Sequence, residues 1–197
     1  MHTETAHSHE AMLFEEREFG FWIYLMSDAI IFSLLFATYA VMRHATAGGP
    51  GAADIMELPT AAIETALLLL ASVTFGMAAV ALEDKRRNAI LVWLGISFLL
   101  GAGFLGMEIH EFIGLIAEGA SPQRSGYLSS FFVLVGTHGA HVTAGLVWIA
   151  TAVAQLMRTG PTEAFAARFK RLGLFWHFLD IVWIGIFSIV YLPGVLQ

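Results

Sequence analysis

Five long apolar segments divide the chain and determine its predicted architecture. A helix needs about 20 apolar residues to cross the hydrocarbon core of a bilayer, and each segment is long enough. We therefore predict an all-α membrane protein, a bundle of five transmembrane helices that forms a single domain at 20–197 after a tail at 1–19. The predicted spans are 21–42, 61–82, 89–117, 128–157 and 172–192.

The composition also indicates lipid as the solvent. Hydrophobic residues make up 57% of the chain and charged residues only 13%, whereas soluble domains contain roughly a quarter charged residues. No basic run with interleaved aromatic residues indicates nucleic-acid binding. The absence of cysteine excludes disulfides, thiolate catalysis and Cys-ligated metals. The acidic segment before the first span predicts a retained tail rather than a cleaved signal peptide.

Lysine and arginine residues predict the orientation in the membrane. The tail and the second and fourth loops share one side of a five-span protein. That side carries eight of the ten basic residues, and the other side carries only Arg43 and Arg124. Because basic loops remain in the cytoplasm, we predict a cytoplasmic N-terminus and a periplasmic C-terminus. The eight residues are Arg17, Lys85, Arg86, Arg87, Arg158, Arg168, Lys170 and Arg171.

The spans contain ionisable residues that need a partner or a purpose. Each costs roughly 2.5–3.5 kcal/mol to insert near the centre of a membrane helix. Three pairs lie one helical turn apart and share a face: Glu108 with Glu111, His138 with His141, and His177 with Asp180. The full set is Asp28, Glu64, Glu108, His110, Glu111, His138, His141, His177 and Asp180.

A haem site and a proton path are the functional alternatives for these residues. His138 and His141 share one face of one helix, whereas bis-histidine ligation needs donors from opposite sides of the haem. No Glu-x-x-His motifs on paired helices indicate a carboxylate-rich metal site. We favour a structural role, in which the polar groups hydrogen-bond between helices and fix the bundle. No catalytic, cofactor-binding or metal-binding residue is assigned.

The ends of the spans carry recognisable signals. A loop is predicted at 158–171, and Pro193 is expected to stop the last helix. Aromatic residues near span ends are typical interfacial anchors. We expect that role for Phe21, Trp22, Tyr127, Trp176 and Tyr191.

Several exact strings make the chain similar to a known family. GFWIYLMSD at 20–28 and FATY at 36–39 resemble the first helix of subunit III of bacterial haem-copper quinol oxidases. The resemblance covers about residues 20–194, and the motifs follow the same order as in the family. Within the family, this chain is most similar to subunit III of the ubiquinol oxidases of the cytochrome bo type. The other strings are TAGGP at 46–50, GMEIHEF at 106–112, RSGYL at 124–128, GTHGAHV at 136–142 and FWHFLDIVW at 175–183.

The resemblance implies a supporting subunit in the bacterial inner membrane. Subunit III of that family carries no haem or copper, because the redox centres lie in subunits I and II. The expected partners of this chain are subunits I, II and IV and membrane phospholipids. Subunit III packs beside subunit I, supports assembly and stability, and in longer relatives binds phospholipids and sustains proton uptake. This chain is similar to the short form, which lacks two helices. Asp28 stands where related oxidases have a glutamate, and the positions characteristic of the family are Asp28, Glu111, His138, His141, His177 and Asp180.

The resemblance implies a non-catalytic subunit of a proton-pumping enzyme that oxidises ubiquinol and reduces oxygen to water. The same subunit of an aa-type menaquinol or cytochrome c oxidase is the nearest alternative. A stand-alone proton-coupled transporter or haem-b membrane protein is a further one. Transporters often show inverted repeats and interrupted helices. Five predicted uninterrupted spans without a repeat argue against that class.

Overall fold

The computed structural model describes the backbone of residues 2–195, with the side chains of 16, 18–52 and 55–193. The described chain is helical apart from short connections. A single 3₁₀ turn, Pro122–Arg124, lies in the third connection. The helices are α1 His2–Met42, α2 Ala52–Ile55, α3 Leu58–Glu83, α4 Arg87–Ala117, α5 Gly126–Thr159, α6 Glu163–Ile186 and α7 Leu192–Val195, with a π-helical segment Phe187–Tyr191 between the last two.

Five of these helical stretches are long and apolar enough to cross a membrane, so the predicted five-span architecture is confirmed. The predicted tail at 1–19 is helical from His2 onward and runs directly into the first span. Its cytoplasmic location stays a prediction. The stretches are Glu18–Met42, Leu58–Glu83, Arg87–Ala117, Gly126–Thr159 and Glu163–Tyr191.

Four helices form a closed ring, and α1 packs on its outside. Helix α3 packs on α4, α4 on α5, α5 on α6, and α6 returns to α3. Helix α1 packs mainly on α5 and, less extensively, on α6. At one end of the bundle the Arg171 guanidinium bonds the Glu18 carboxylate at 2.8 Å, which ties α6 to α1. At the same end Arg87 donates to the Met157 carbonyl, which ties α4 to α5.

Trp176 fills the middle of the ring, where two glycines leave room for its indole. A Cβ placed on Gly101 of α4 or on Gly145 of α5 would lie 3.0 Å from the ring. Close approach through small residues is how membrane helices gain dispersion energy, because lipid tails are as apolar as a leucine core. The indole is 1% exposed. Trp176 therefore joins three helices of the ring.

The expected interfacial role is wrong for three of the five aromatic residues. Trp176, Tyr127 and Tyr191 are buried in the protein core rather than placed on its surface. Trp22 is exposed, as an anchor would be. Proximity to a span end carries no information on whether a residue faces lipid or another helix.

The predicted loop at 158–171 is also wrong, because helix α6 begins at Glu163. The Thr162 hydroxyl accepts from the backbone N–H of Phe165 at 3.2 Å and caps the helix. Phe165 and Phe169 are buried and lie one turn apart, whereas Arg168 and Lys170 are exposed. The first turns of α6 thus form an amphipathic extension of the span.

The last span is not uninterrupted, which corrects the expected stop at Pro193. The backbone widens to π-helical geometry at Phe187–Tyr191 and then continues as α7 through Pro193. Proline has no N–H, and its ring clashes with the carbonyl four residues earlier. A single wide turn before the proline relieves that clash without ending the helix. The turn also places Tyr191 in the core.

Candidate functional site

Eight of the ionisable residues in the spans fall into four clusters. The first joins α1 to α5: Nε2 of His141 lies 3.6 Å from the Asp28 carboxylate. The other ring nitrogen, Nδ1, lies 2.7 Å from the Thr137 carbonyl, so we assign its hydrogen as a donor there. Phe32 packs against the imidazole. Asp28 and His141 can therefore form an ion pair when the ring is doubly protonated.

His138 belongs to a second cluster, between α5 and α6, rather than to the cluster that contains Asp28 and His141. Its Nε2 lies 3.3 Å from the Leu179 carbonyl, and its ring packs against Trp183 and Phe104. The side chain is fully buried. Although the two histidines lie one turn apart, as predicted, they serve different helix pairs. A shielded ring whose Nε2 faces a carbonyl is poorly placed to ligate haem.

Three carboxyl groups and one phenol form the third cluster. Glu64, Glu108 and Glu111 lie close enough for their charges to interact with one another and with Tyr191. The Tyr191 hydroxyl donates to the Glu111 carboxylate at 3.3 Å. The Glu108 carboxylate lies over Gly139, where a Cβ would come within 2.6 Å of Oε1. Close carboxyl groups repel when ionised, and Tyr191 supplies this cluster with a hydrogen-bond donor.

The carboxyl cluster has one polar edge. A cavity of about 660 Å³ opens beside Glu111 and is also lined by Glu57, His110 and Glu118. Glu64 lies deeper and is 0% exposed, and neither of its oxygens has a hydrogen-bond partner among the described residues. The cluster thus runs from a cavity into the core.

The fourth cluster joins α3 to α6. The Nδ1 atom of His177 lies 3.3 Å from the Asp180 carboxylate and 2.9 Å from the Ser72 hydroxyl. His177 and Asp180 therefore contact each other as their spacing predicted. A hydrolytic Ser-His-Asp triad uses both ring nitrogens, one toward each partner. Here both contacts meet at Nδ1, so the cluster is not a nucleophile activator.

Sequence reasoning missed the partners that come from other helices. Ser72 and Tyr191 bond the ionisable residues directly, and Trp183 donates to the Thr65 hydroxyl at 3.0 Å. Tyrosine and serine carry no charge, so a search for ionisable residues passes over them. Within the described part of the chain, no group of three or more His, Cys, Asp or Glu side chains could hold a metal ion.

Comparison with known proteins identifies the family. A family model described as "Cytochrome c oxidase subunit III" matches residues 1–195. The chain belongs to the cytochrome c oxidase subunit III family. Members of this family are the non-catalytic subunits of haem-copper oxidases and lack redox centres of their own. The resemblance in the sequence motifs is thereby confirmed, as is a multi-pass membrane protein.

Relatives within the family differ in their named electron donors. Subunit 3 of the cytochrome bo(3) ubiquinol oxidase of Pseudomonas putida is 56% identical over 177 residues, covering 90% of this chain and 86% of that protein. Quinol oxidase subunit 3 of Bacillus subtilis is 44% identical and covers 89% and 86%. Cytochrome c oxidase subunit 3 of Bacillus sp. strain PS3 is 41% identical and covers 89% and 84%. Membership of the family therefore leaves the donor open.

Proposed function

We propose that this chain is subunit III of a respiratory ubiquinol oxidase in the bacterial inner membrane. The observation that carries the proposal is the 56% identity to a subunit named for ubiquinol, against 41% for one named for cytochrome c. In this role the chain contains no redox centre. It supports the assembly and stability of a complex whose subunits I and II hold haem and copper, with subunit IV as a further partner.

The four polar clusters support a scaffold role. Each joins a different pair or group of helices through side chains that lipid cannot satisfy, so together they fix how the five spans pack. Asp28, Glu64, Glu108, Glu111, His138, His141, His177 and Asp180 are the residues to which we assign that role. A proton path would need a continuous chain of donors and acceptors, whereas these clusters are separated by packed aromatic rings.

Phospholipid is a further proposed partner. A cavity of about 610 Å³ lies at the ends of α5 and α6 and is lined by Arg158, Arg168, Phe165, Phe169 and Trp148. Arginines near a bilayer surface attract lipid phosphates, and the aromatic rings offer an apolar wall to an acyl chain. Lipid extracted from the purified complex and quantified by mass spectrometry should fall when both arginines are replaced by glutamine.

Purification through a tag on this chain tests the proposed complex. We expect the large haem-copper subunit at one-to-one stoichiometry, oxygen uptake with ubiquinol but not with reduced cytochrome c, and b- and o-type haem. Extraction of a-type haem or activity with cytochrome c would instead favour the aa-type alternative. A stoichiometric Soret band on the isolated chain would contradict the scaffold assignment.

We also propose that the N-terminus is cytoplasmic and the C-terminus periplasmic. The support is the eight-to-two distribution of basic residues. Glu18, Arg87, Met157 and Arg171 lie at one end of the bundle, which is the end assigned to the cytoplasm. Alkaline phosphatase fused after the C-terminus should be active, and a fusion in the 83–88 connection should not. Activity only in the second fusion would reverse the orientation.

A further inference from the structure

The outer face of α6 carries two polar residues in an apolar stripe. His177, Ile181, Ile184 and Ser188 follow one another at intervals of four, three and four residues, and all four are exposed. This spacing places them on one face of the helix. The His177 side chain is 52% exposed. We define these four residues as the α6 stripe.

His177 lies within the hydrocarbon region rather than at its edge. It stands six residues beyond Arg171, or about 9 Å along the helix axis. Its partner Ser72 stands eleven residues before Glu83, or about 16 Å along α3. An imidazole is too short to reach the headgroups from that depth, whereas a long lysine or arginine side chain could.

The internal hydrogen bonds of His177 use only one of its ring nitrogens. Both Ser72 and Asp180 lie beside Nδ1. We assign the ring hydrogen to Nδ1, where it can donate to the neighbouring oxygens of Asp180 and Ser72. Nε2 is then an acceptor, and no described residue donates to it. Acyl chains contain no hydrogen-bond donor, so lipid leaves this atom unsatisfied.

Ser188 provides an independent observation on the same stripe. The other exposed serine and threonine side chains of the spans each bond a backbone carbonyl, and these are Ser27, Ser33, Thr38, Ser129, Thr143, Thr151 and Thr159. Ser188 lies in the π-helical segment and makes no such bond to the described residues. Two polar groups on one membrane-facing stripe therefore lack partners within the described chain.

The neighbouring surface of α3 allows a helix to approach closely. Ser72 and Gly76 have the small-xxx-small spacing that lets membrane helices pack backbone to backbone. A Cβ on Gly76 would meet nothing within 4 Å, so the notch it leaves is open. The notch adjoins His177 through Ser72.

We propose that the α6 stripe and the Ser72–Gly76 notch dock a transmembrane helix of a partner oxidase subunit. That helix offers hydrogen-bonding side chains opposite His177 and Ser188; a hydroxyl, an amide or an indole N–H donates to His177. The proposal rests on the proposed function, because it assigns the surface through which this chain joins the complex.

A second copy of this chain fits the surface less well. Two copies inserted in the same orientation place equal depths opposite each other. His177 of one copy would then face His177 of the other, acceptor against acceptor. Ser188 could supply a donor, but it is eleven residues away, or about 16 Å along the axis. Side chains cannot bridge that separation in a parallel pair.

Photo-crosslinking in intact membranes tests the surface. A benzophenone amino acid is placed at Ile181, which is 69% exposed on the stripe, or at Leu99, which is 70% exposed on α4 across the ring. We expect the Ile181 position to give at least tenfold more adduct with another oxidase subunit. Equal or greater adduct from Leu99, or adducts only between copies of this chain, would overturn the proposal.

Two substitutions at His177 separate docking from internal packing. The amide of His177→Asn lies near the Nδ1 position and preserves the bonds to Ser72 and Asp180, whereas the amide of His177→Gln reaches the Nε2 position. We expect His177→Asn to lower the fraction of complex that retains this chain about tenfold although its internal bonds are kept, and His177→Gln, which loses those bonds, to lower it severalfold less. Equal retention or equal loss in both variants would overturn the role of Nε2.

The crosslinking and purification results also distinguish an error in the docking surface from an error in the proposed function. If the wild-type chain purifies with the haem-copper subunits but crosslinks through α4, the docking surface is wrong and the proposed function stands. If no oxidase subunit purifies with the wild-type chain, the proposed function itself fails. The melting temperature of each variant chain in detergent controls for misfolding, and we expect His177→Asn to melt with the wild type.

Discussion

Trp176→Ala should lower the free energy of unfolding of this subunit by about 3 kcal/mol or more. Truncation of a buried tryptophan removes its packing contacts and leaves a cavity, and such changes cost about 3–5 kcal/mol in protein cores. We expect the lower part of that range, because in a membrane the unfolded helices still face apolar lipid. The loss comes mainly from dispersion contacts with the helices around Gly101 and Gly145.

Thermal denaturation of the full chain in detergent measures this effect, and Trp22→Ala is the matched control. Trp22 is 51% exposed, whereas Trp176 is 1% exposed. We expect Trp22→Ala to change the melting temperature little, and Trp176→Ala to lower it by several degrees. Equal melting temperatures for the two variants would contradict a ring closed around Trp176.

Gly139→Ala should destabilise the bundle because a methyl group there meets a buried carboxylate. The added Cβ would lie 2.6 Å and 2.9 Å from the two oxygens of Glu108. Glu108 is itself buried, so it can move only by displacing its neighbours. Overpacking of this kind costs about 1–3 kcal/mol.

A double-mutant cycle with Glu108→Ala isolates that contact. Removing the carboxylate makes room for the methyl group, so the double variant should be more stable than the sum of the single effects predicts, by about 1 kcal/mol or more. Gly136→Ala is the control on the same helix, since its Cβ would lie an ordinary 3.6 Å from Phe112. Additive effects in the cycle would show that Glu108 does not fill the space beside Gly139.

The sequence predicts the five spans well because lipid allows few alternatives. Backbone groups in hydrocarbon must bond within their own helix, so an apolar run of sufficient length is almost sufficient for a span. His177 and Asp180 could be paired for a similar reason: they belong to one helix, and helical spacing alone brings them together.

Contacts between helices were beyond what spacing can predict. Asp28 meets His141, and Glu111 meets Tyr191, only because of how the ring closes and where α1 attaches. The burial of Tyr127 depends on the same packing. By contrast, the start of α6 was available from the sequence, since Thr162 precedes apolar residues spaced as on one helix face. The basic residues Arg168, Lys170 and Arg171 interrupt the apolar run there and obscure that spacing.

The attachment of α1 has a consequence for synthesis of the protein. Helix α1 is made first, yet its principal partners, α5 and α6, are made last. Asp28 precedes His141 by 113 residues, which takes a ribosome roughly 6–23 s at about 5–20 residues per second. During that interval the aspartate has no histidine to pair with. The first helix therefore has to wait in the membrane, or beside the insertion machinery, until the fourth span arrives.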